Sequence, residues 1–380
     1  CACADDLYLG GGSARFNLVH GCTLHTNQSR EDNVMSKSEL TGRIQTVLGT
    51  IDPSDLGITH THEHLLIDMM CYFEMPEEAS EREWIDAKVT MDRLGGAYRK
   101  GFPDAIRLLD TEEAIREVLK YKHAGGNSLM DTTSVGIARD PLALARISRA
   151  TGLNIIMGSG YYVPVSYPED MDTKSEQSIT DEIIRDITVG VGDTGVRSGF
   201  IGEIGNFWPT NPNTIKVLQA SAHAALETGA VVLIHPGFDP DSPPAIIETL
   251  TGAGLDPSRI IMGHLDLVPH DSAWLKDLAQ SGCYMEWDVF GEEDTTFGDG
   301  ASGSDVESMG NIEYAISEGF GDKILVAHDV CTKMQYTKYG GKGYAHILEN
   351  IVPRMRKRGF TEESIQSILV GNPKNAVTFV

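Results

Sequence analysis

"GITHTHEHLLID", residues 57–68, sets His60, His62 and His64 at every second position of a short β-prone run. Strand residues two apart share a face, so the three imidazoles can converge on one point, as a metal ion requires. Clustered histidines also occur as satisfied core residues, so the reading depends on whether other segments bring further ligands to the same place.

Seven runs of similar character follow: "NSLMDTT" (127–133), "NIIMGSGYY" (154–162), "GFIGEIG" (199–205), "VVLIHPG" (231–237), "RIIMGHL" (259–265), "CYMEWD" (283–288) and "ILVAHD" (324–329). Between them lie stretches of helical spacing, such as "TEEAIREVLKYKHA" from Thr111, "NTIKVLQASAHAALETG" from Asn213 and "DSAWLKDLAQSG" from Asp271, with Thr111 and Asp271 as capping residues. Eight βα repeats suit closure into an α/β fold of the (β/α)8 TIM barrel type. An open doubly wound sheet gives a similar alternation, but no GxGxxG turn follows the first run.

A barrel of this kind builds its site at the C-terminal ends of the strands. His62 and His64 fall at the end of the first run, Glu203 the fourth, His235 the fifth, His264 the sixth and Asp329 the eighth, while the bodies of those runs are apolar. Taken singly, each is an ordinary polar residue. Six metal-capable side chains at matching ends of five strands point to a metal centre.

Composition narrows the partners. The 380 residues carry 55 acidic against 31 basic side chains, a formal net charge of -24, with no Lys/Arg-rich run. That argues against nucleic acid or an anionic membrane and for a small-molecule substrate, the acidic surface serving solubility. Cys1, Cys3, Cys22, Cys71, Cys283 and Cys331 form no CxxC pair and no disulfide scaffold, so free thiols in a reducing, cytoplasmic setting are expected. No apolar run reaches the roughly 18 to 20 residues of a membrane span. Residues 1–34 lack a signal-type apolar core and periodicity, and Met35 would make an ordinary start. They read as an extension outside the fold, with His20 and His25 as non-ligands, leaving 35–380 as one barrel domain. A homodimer is compatible with this reading. The segment "GEEDTTFGDGASGSDVESMG", 291–310, reads as a loop after the seventh strand, either a lid over the mouth or a surface insertion.

The set His62-x-His64, Glu203, His235, His264 and Asp329, with "TVLG" before the first strand and "GNP" near the end, resembles the phosphotriesterase family of the amidohydrolase superfamily. The resemblance covers about residues 43–380. It is similar to the phosphotriesterase-related group of animals in "LGTIDPSDLG", "THEHL", "GEIG", "HPG", "AHD", "TKMQYTKYGGKGYAHIL" and "GNPKNAVTF". The resemblance implies two divalent metal ions, Zn2+ first with Mn2+ or Co2+ as alternatives. His62, His64 and Asp329 would hold the more buried ion, His235 and His264 the more exposed one, and Glu203 would bridge them. In such a pair the bound water becomes acidic enough to attack at neutral pH, with a pKa of about 7. Asp329 is either a ligand alone or also the group that carries the nucleophile's proton to the leaving group.

Two departures from the family pattern bear on substrate. Many members bridge the metals with a carboxylated lysine, where this chain has Glu203. "EWDVFG" after the seventh strand offers no His or Arg of the kind that equips organophosphate and lactone hydrolases. The resemblance therefore implies a metal-dependent amidohydrolase acting on a small N-acyl compound, N-acetyltaurine giving taurine and acetate. A phosphotriesterase or lactonase with the same metals is the alternative, and a binding protein without turnover the third reading. Tyr161 and Tyr162, after the third strand, and Lys333 and Lys338, after the eighth, are expected to reach substrate from the rim. His60, on the His62 face but a layer deeper, and His328, pointing the other way from Asp329, are expected as core residues. Arg139 is expected to pair with Asp140 or Asp131.

Overall fold

The computed structural model describes residues 34–293 and 303–380. The expectations for residues 1–33 of the extension, including His20 and His25, and for the centre of the loop after the seventh strand therefore lie outside the described residues.

All eight expected strands form: β1 Thr59–Glu63, β2 Ser128–Asp131, β3 Asn154–Met157, β4 Ile201–Gly205, β5 Val232–His235, β6 Ile260–Met262, β7 Tyr284–Trp287 and β8 Ile324–Val326. A helix follows each: α1 Thr111–His123, α2 Pro141–Thr151, α3 Glu176–Thr188, α4 Pro212–Thr228, α5 Ser242–Gly252, α6 Ser272–Gln280, α7 Asp305–Ser317 and α8 Val352–Arg358. The caps are local chemistry. Asp271 accepts the Trp274 N–H and Asn211 the Thr214 N–H, while Gly229 ends α4 in the left-handed conformation that glycine adopts without strain. The cap of α1 is Asp110 rather than Thr111, its carboxylate accepting the Glu112 and Glu113 N–H groups. Asp305 to Gly310, read from sequence as loop, is the first part of α7, because Ser304 caps it at Val306 and Met309 and Ile312 bury against the core.

Parallel ladders join β1-β2-β3 and β4 through β8. Backbone bonds bridge the two seams of the (β/α)8 barrel. Gly199 N–H reaches Met157 O (2.8 Å) and Gly202 N–H reaches Ser159 O (2.6 Å) between β3 and β4; Asp329 N–H reaches His62 O (3.1 Å) between β8 and β1. The first seam needs glycine, since a Cβ on Gly158 would lie 1.9 Å from Gly202 O. Met130, Ile156, Phe200, Leu233, Ile261 and Leu325 fill the barrel below the site, and a larger apolar layer seals strands to helices. Apolar burial on this scale is worth about 25 cal/mol per Å² and holds the strand ends in place. Among the described residues no helix is long and apolar enough to cross a membrane.

Candidate metal centre

The six strand-end residues meet at the mouth of the barrel in two groups, His62/His64/Asp329 and Glu203/His235/His264, whose ligand atoms lie within 4.8 Å of one another in each group. Glu203 stands between them. Its Oε1 is 3.0 Å from His235 Nδ1, 3.0 Å from His264 Nε2 and 3.4 Å from His62 Nε2, and its Oε2 is 3.7 Å from His64 Nε2. Asp329 Oδ1 lies 3.2 Å from His64 Nε2 and 3.9 Å from His62 Nε2. The set opens on a cavity of about 200 Å³ walled by Ile67, Met69, Tyr72, Tyr162, Phe207, Phe238, Leu267 and Cys331.

The residues fit a pair of divalent cations. His62 Nε2 and Asp329 Oδ1 are buried and have no hydrogen-bond partner, a costly arrangement unless something else binds them. The rear nitrogens of three imidazoles are anchored: His64 Nδ1 to Thr133 Oγ1 (2.8 Å), His264 Nδ1 to Asp288 Oδ1 (2.8 Å), and His62 Nδ1 to Asp288 Oδ2 (3.0 Å) and Glu286 Oε2 (3.2 Å). Such partners fix ring orientation and leave the other nitrogen for the metal. Two of the six, His264 (φ 54) and Asp329 (φ 49), sit in left-handed backbone, which most side chains avoid.

Charge within the cluster is balanced internally. Burial alone would drive the Asp288 and Glu203 carboxyls up. His264 and His62 beside Asp288, and His62 beside Glu203 with hydrogen bonds from His235 and His264, hold both below the usual carboxylate range instead. Burial would likewise depress His62 and His264, but the Asp288 and Glu203 carboxylates lift both well above the ordinary imidazole value. Burial pushes the Glu286 carboxyl up and the His235 imidazole down. No Lys or Arg among the described residues lines the cavity, so positive charge has to come from imidazolium or from a bound cation that displaces its protons.

The phosphotriesterase family model matches residues 42–377. That span holds all six clustered strand-end residues and all eight strands. The chain belongs to the phosphotriesterase family. It is thus an enzyme, a hydrolase of a metal-dependent family. A phosphotriesterase-related protein of Nematostella vectensis is 41% identical over 347 residues, covering 89% of this chain and 99% of its own. The N-acetyltaurine hydrolase of Homo sapiens is 41% identical over 349 residues, covering 90% and 99%. Among solved structures, a resiniferatoxin-binding protein from Rhodobacter sphaeroides superposes with a TM-score of 0.85 at 33% identity, over 90% of this chain and 98% of that one.

Of the four rim residues expected from sequence, this phosphotriesterase-family site takes in only Tyr162, whose ring meets His235 edge-on at 5.2 Å. Tyr161, Lys333 and Lys338 are drawn elsewhere by buried or half-buried acids. The Tyr161 hydroxyl donates to Glu182, Lys333 Nζ lies 2.8 Å from Asp104 Oδ1, and Lys338 pairs with Glu113 on α1. Arg139 pairs with Asp186 (2.8 Å), not with Asp140 or Asp131, because Asp140 caps α2 and Asp131 accepts the Leu65 N–H. His60 is not on the His62 face. A register shift in β1 between His60 and Glu63 turns His60 outward against Tyr121 of α1 (4.5 Å between rings) and His328 (4.7 Å). Sequence reasoning missed Tyr72, Thr133, Glu286 and Asp288. The signal for the last two was there: acids two apart in the apolar run "CYMEWD", the alternation that exposed the ligands of β1.

Proposed function

We propose that the chain hydrolyses the amide bond of a small N-acyl compound, with N-acetyltaurine, cleaved to taurine and acetate, as the leading substrate. The observation that carries this reading is Asp329 Oδ1, which is buried at the cavity, lacks a hydrogen-bond donor and stands beside His64 Nε2. An amine departs only once protonated. A carboxylate in that place can take a proton from the attacking water and return it to the leaving nitrogen, whereas a phenolate or a lactone alkoxide needs this less. Two divalent ions on the six ligands, Zn2+ first and Mn2+ or Co2+ as alternatives, would supply a Lewis acid for the carbonyl and a water acidic enough to attack at neutral pH.

The rest falls to the chain. Phe207, Phe238 and Leu267 shield the carbonyl from bulk water, and the hydrogen-bonded pair of Tyr72 and Tyr162 hydroxyls leaves one neutral donor at hand for an oxygen-rich amine portion such as a sulfonate. Glu286 and Asp288 are turned onto histidines, so β7 offers no cation to a phosphotriester or lactone. The names of relatives at about 40% identity support the choice of N-acetyltaurine. The test is a screen of metal-loaded protein against N-acetyl amino compounds, aryl phosphotriesters and acyl-homoserine lactones, run beside Asp329→Asn with its metal content measured. N-acetyltaurine should be turned over fastest, and Asp329→Asn should lose most of that turnover even in samples that retain metal. A lactone or phosphotriester outpacing every N-acyl substrate would replace the amidase reading.

A further inference from the structure

We infer that Glu63, the acid between the ligands His62 and His64, is a positioning residue that sets Asp329 across the β8/β1 seam. The side chain is fully buried and points away from the cavity, yet it touches the chain on both sides of Asp329. Glu63 Oε1 accepts the His328 backbone N–H (3.1 Å) and His328 Nδ1 (2.7 Å), and Oε2 accepts the Val330 N–H (3.2 Å). The flanking amides of Asp329 are thus held by one carboxylate. Gln335 Nε2 donates to Asp329 O at 2.8 Å from the other direction. A residue at φ 49 is held there by such over-determination, because left-handed backbone, though aspartate tolerates it better than most side chains, is still the minor choice.

The cluster containing Glu63 is not itself a metal site. His60, Glu63 and His328 lie close enough for one, but His328 Nε2 accepts the Ile347 N–H at 3.0 Å. That bond fixes the proton on Nδ1, directed at Glu63, so His328 has no free lone pair to give. Its role is to complete the clasp. Replacing Glu63 by Gln keeps the shape but substitutes a donating NH2 for one accepting oxygen, so at least one of the flanking bonds must open. Asp329 then loses its fixed aim, and the His62/His64/Asp329 half of the site should suffer while the Glu203/His235/His264 half is spared.

The experiment compares wild type, Glu63→Gln, Glu63→Asp and Tyr121→Phe. Tyr121→Phe deletes hydrogen bonds from the Tyr121 hydroxyl to Ile58 O and Ser128 O at the other end of β1 and serves as the control for plain destabilisation. Zn2+ binding is titrated against a chelating dye, metal-free melting is recorded, and kcat and KM are measured on N-acetyltaurine, the last readout alone resting on the proposed function. Glu63→Gln should weaken one of two Zn2+ ions by more than tenfold, leave the other within threefold, and lower kcat more than tenfold at near-constant KM. Glu63→Asp, which keeps both accepting oxygens on a shorter stem, should fall between, and it carries the test should the Gln variant not fold. Tyr121→Phe should lower the melting temperature with both ions retained. Two Zn2+ ions bound as in wild type by the Glu63 variants, or the same selective loss in Tyr121→Phe, would overturn the assignment. Failure of the wild type on every N-acyl substrate would sink the amidase reading and leave the Zn2+ titration to decide this one.

Discussion

Asp288 is the residue on which the metal centre should depend most after the ligands themselves, and Asp288→Asn is the sharpest perturbation the structure offers. Its Oδ2 serves His62 Nδ1 (3.0 Å) and the His264 N–H (2.9 Å), and its Oδ1 serves His264 Nδ1 (2.8 Å). One carboxylate therefore aims a histidine from each half of the site and also fixes the left-handed backbone of His264. Asparagine has a single accepting oxygen, so whichever way the amide lies, at least one donor faces an NH2 group. Loss of a carboxylate behind a ligating imidazole costs about 10- to 100-fold in metal affinity, or about 1.4 to 2.8 kcal/mol. The expected outcome is a loss of that size for both ions, read by competition with a chelating dye. Glu286→Gln should cost less than tenfold, because His62 keeps Asp288 when Glu286 is neutralised. If folded Asp288→Asn protein bound both ions within threefold of wild type, orientation of the imidazoles from behind would not be what holds the metals.

Glu203→Gln should bring metal content, measured by elemental analysis, from two ions per chain to one or fewer and abolish turnover in step, with Glu203→Ala worse. Two ions retained at normal rate would rule out the bridge. The site also predicts a pH profile for metal-free protein. Glu203 and Asp288, held below their ordinary values, add stability above about pH 4.5 that is lost on acidification, while His62 and His264, held above theirs, add stability below about pH 6.5 that fades as pH rises. The contribution of these four groups to the chelated protein is therefore greatest between those limits, and the rise in melting temperature on adding Zn2+ should grow from pH 5.5 to pH 8, since binding displaces protons. Burial holds His235, His60 and His328 below the ordinary imidazole value, which pulls the other way, so the check is a difference: Asp288→Asn should lose more melting temperature at pH 5.5 than at pH 8, and an equal loss at both would contradict the charge balance described.

The barrel and the meeting of the six strand-end residues at its mouth were legible because each depends on short-range pattern. An apolar run of strand length that ends in His, Glu or Asp declares both a buried strand and the end at which it meets the site, and eight such runs leave few topologies. What was not legible depends on partners distant in sequence. Lys333 looked available from its place after β8, and only the fold shows that Asp104 claims it. His60 was put on the wrong face because alternation presumes a regular pleat, and nothing in "THTHEH" marks the extra residue that lets both Thr61 and His62 face Glu286. Glu286 and Asp288 share the two-residue spacing of His62 and His64, but a carboxylate there declares itself as a histidine's partner only once the fold sets it behind His62 and His264.

Asp329 also carries a lesson for protein engineering. Its left-handed backbone costs an L-residue about 1 kcal/mol, and its buried Oδ1 has no partner within the protein. Glycine at 329 would remove both penalties and keep its main-chain bonds to His62 and Gln335, with the Glu63 bonds to the flanking His328 and Val330 amides undisturbed. A redesign that ranks sequences by the stability of the bare polypeptide would select that change and be rewarded with a higher melting temperature. It would hand back a sturdier barrel with its chemistry deleted, so any such campaign on this fold has to screen for bound metal, not heat resistance, at this position.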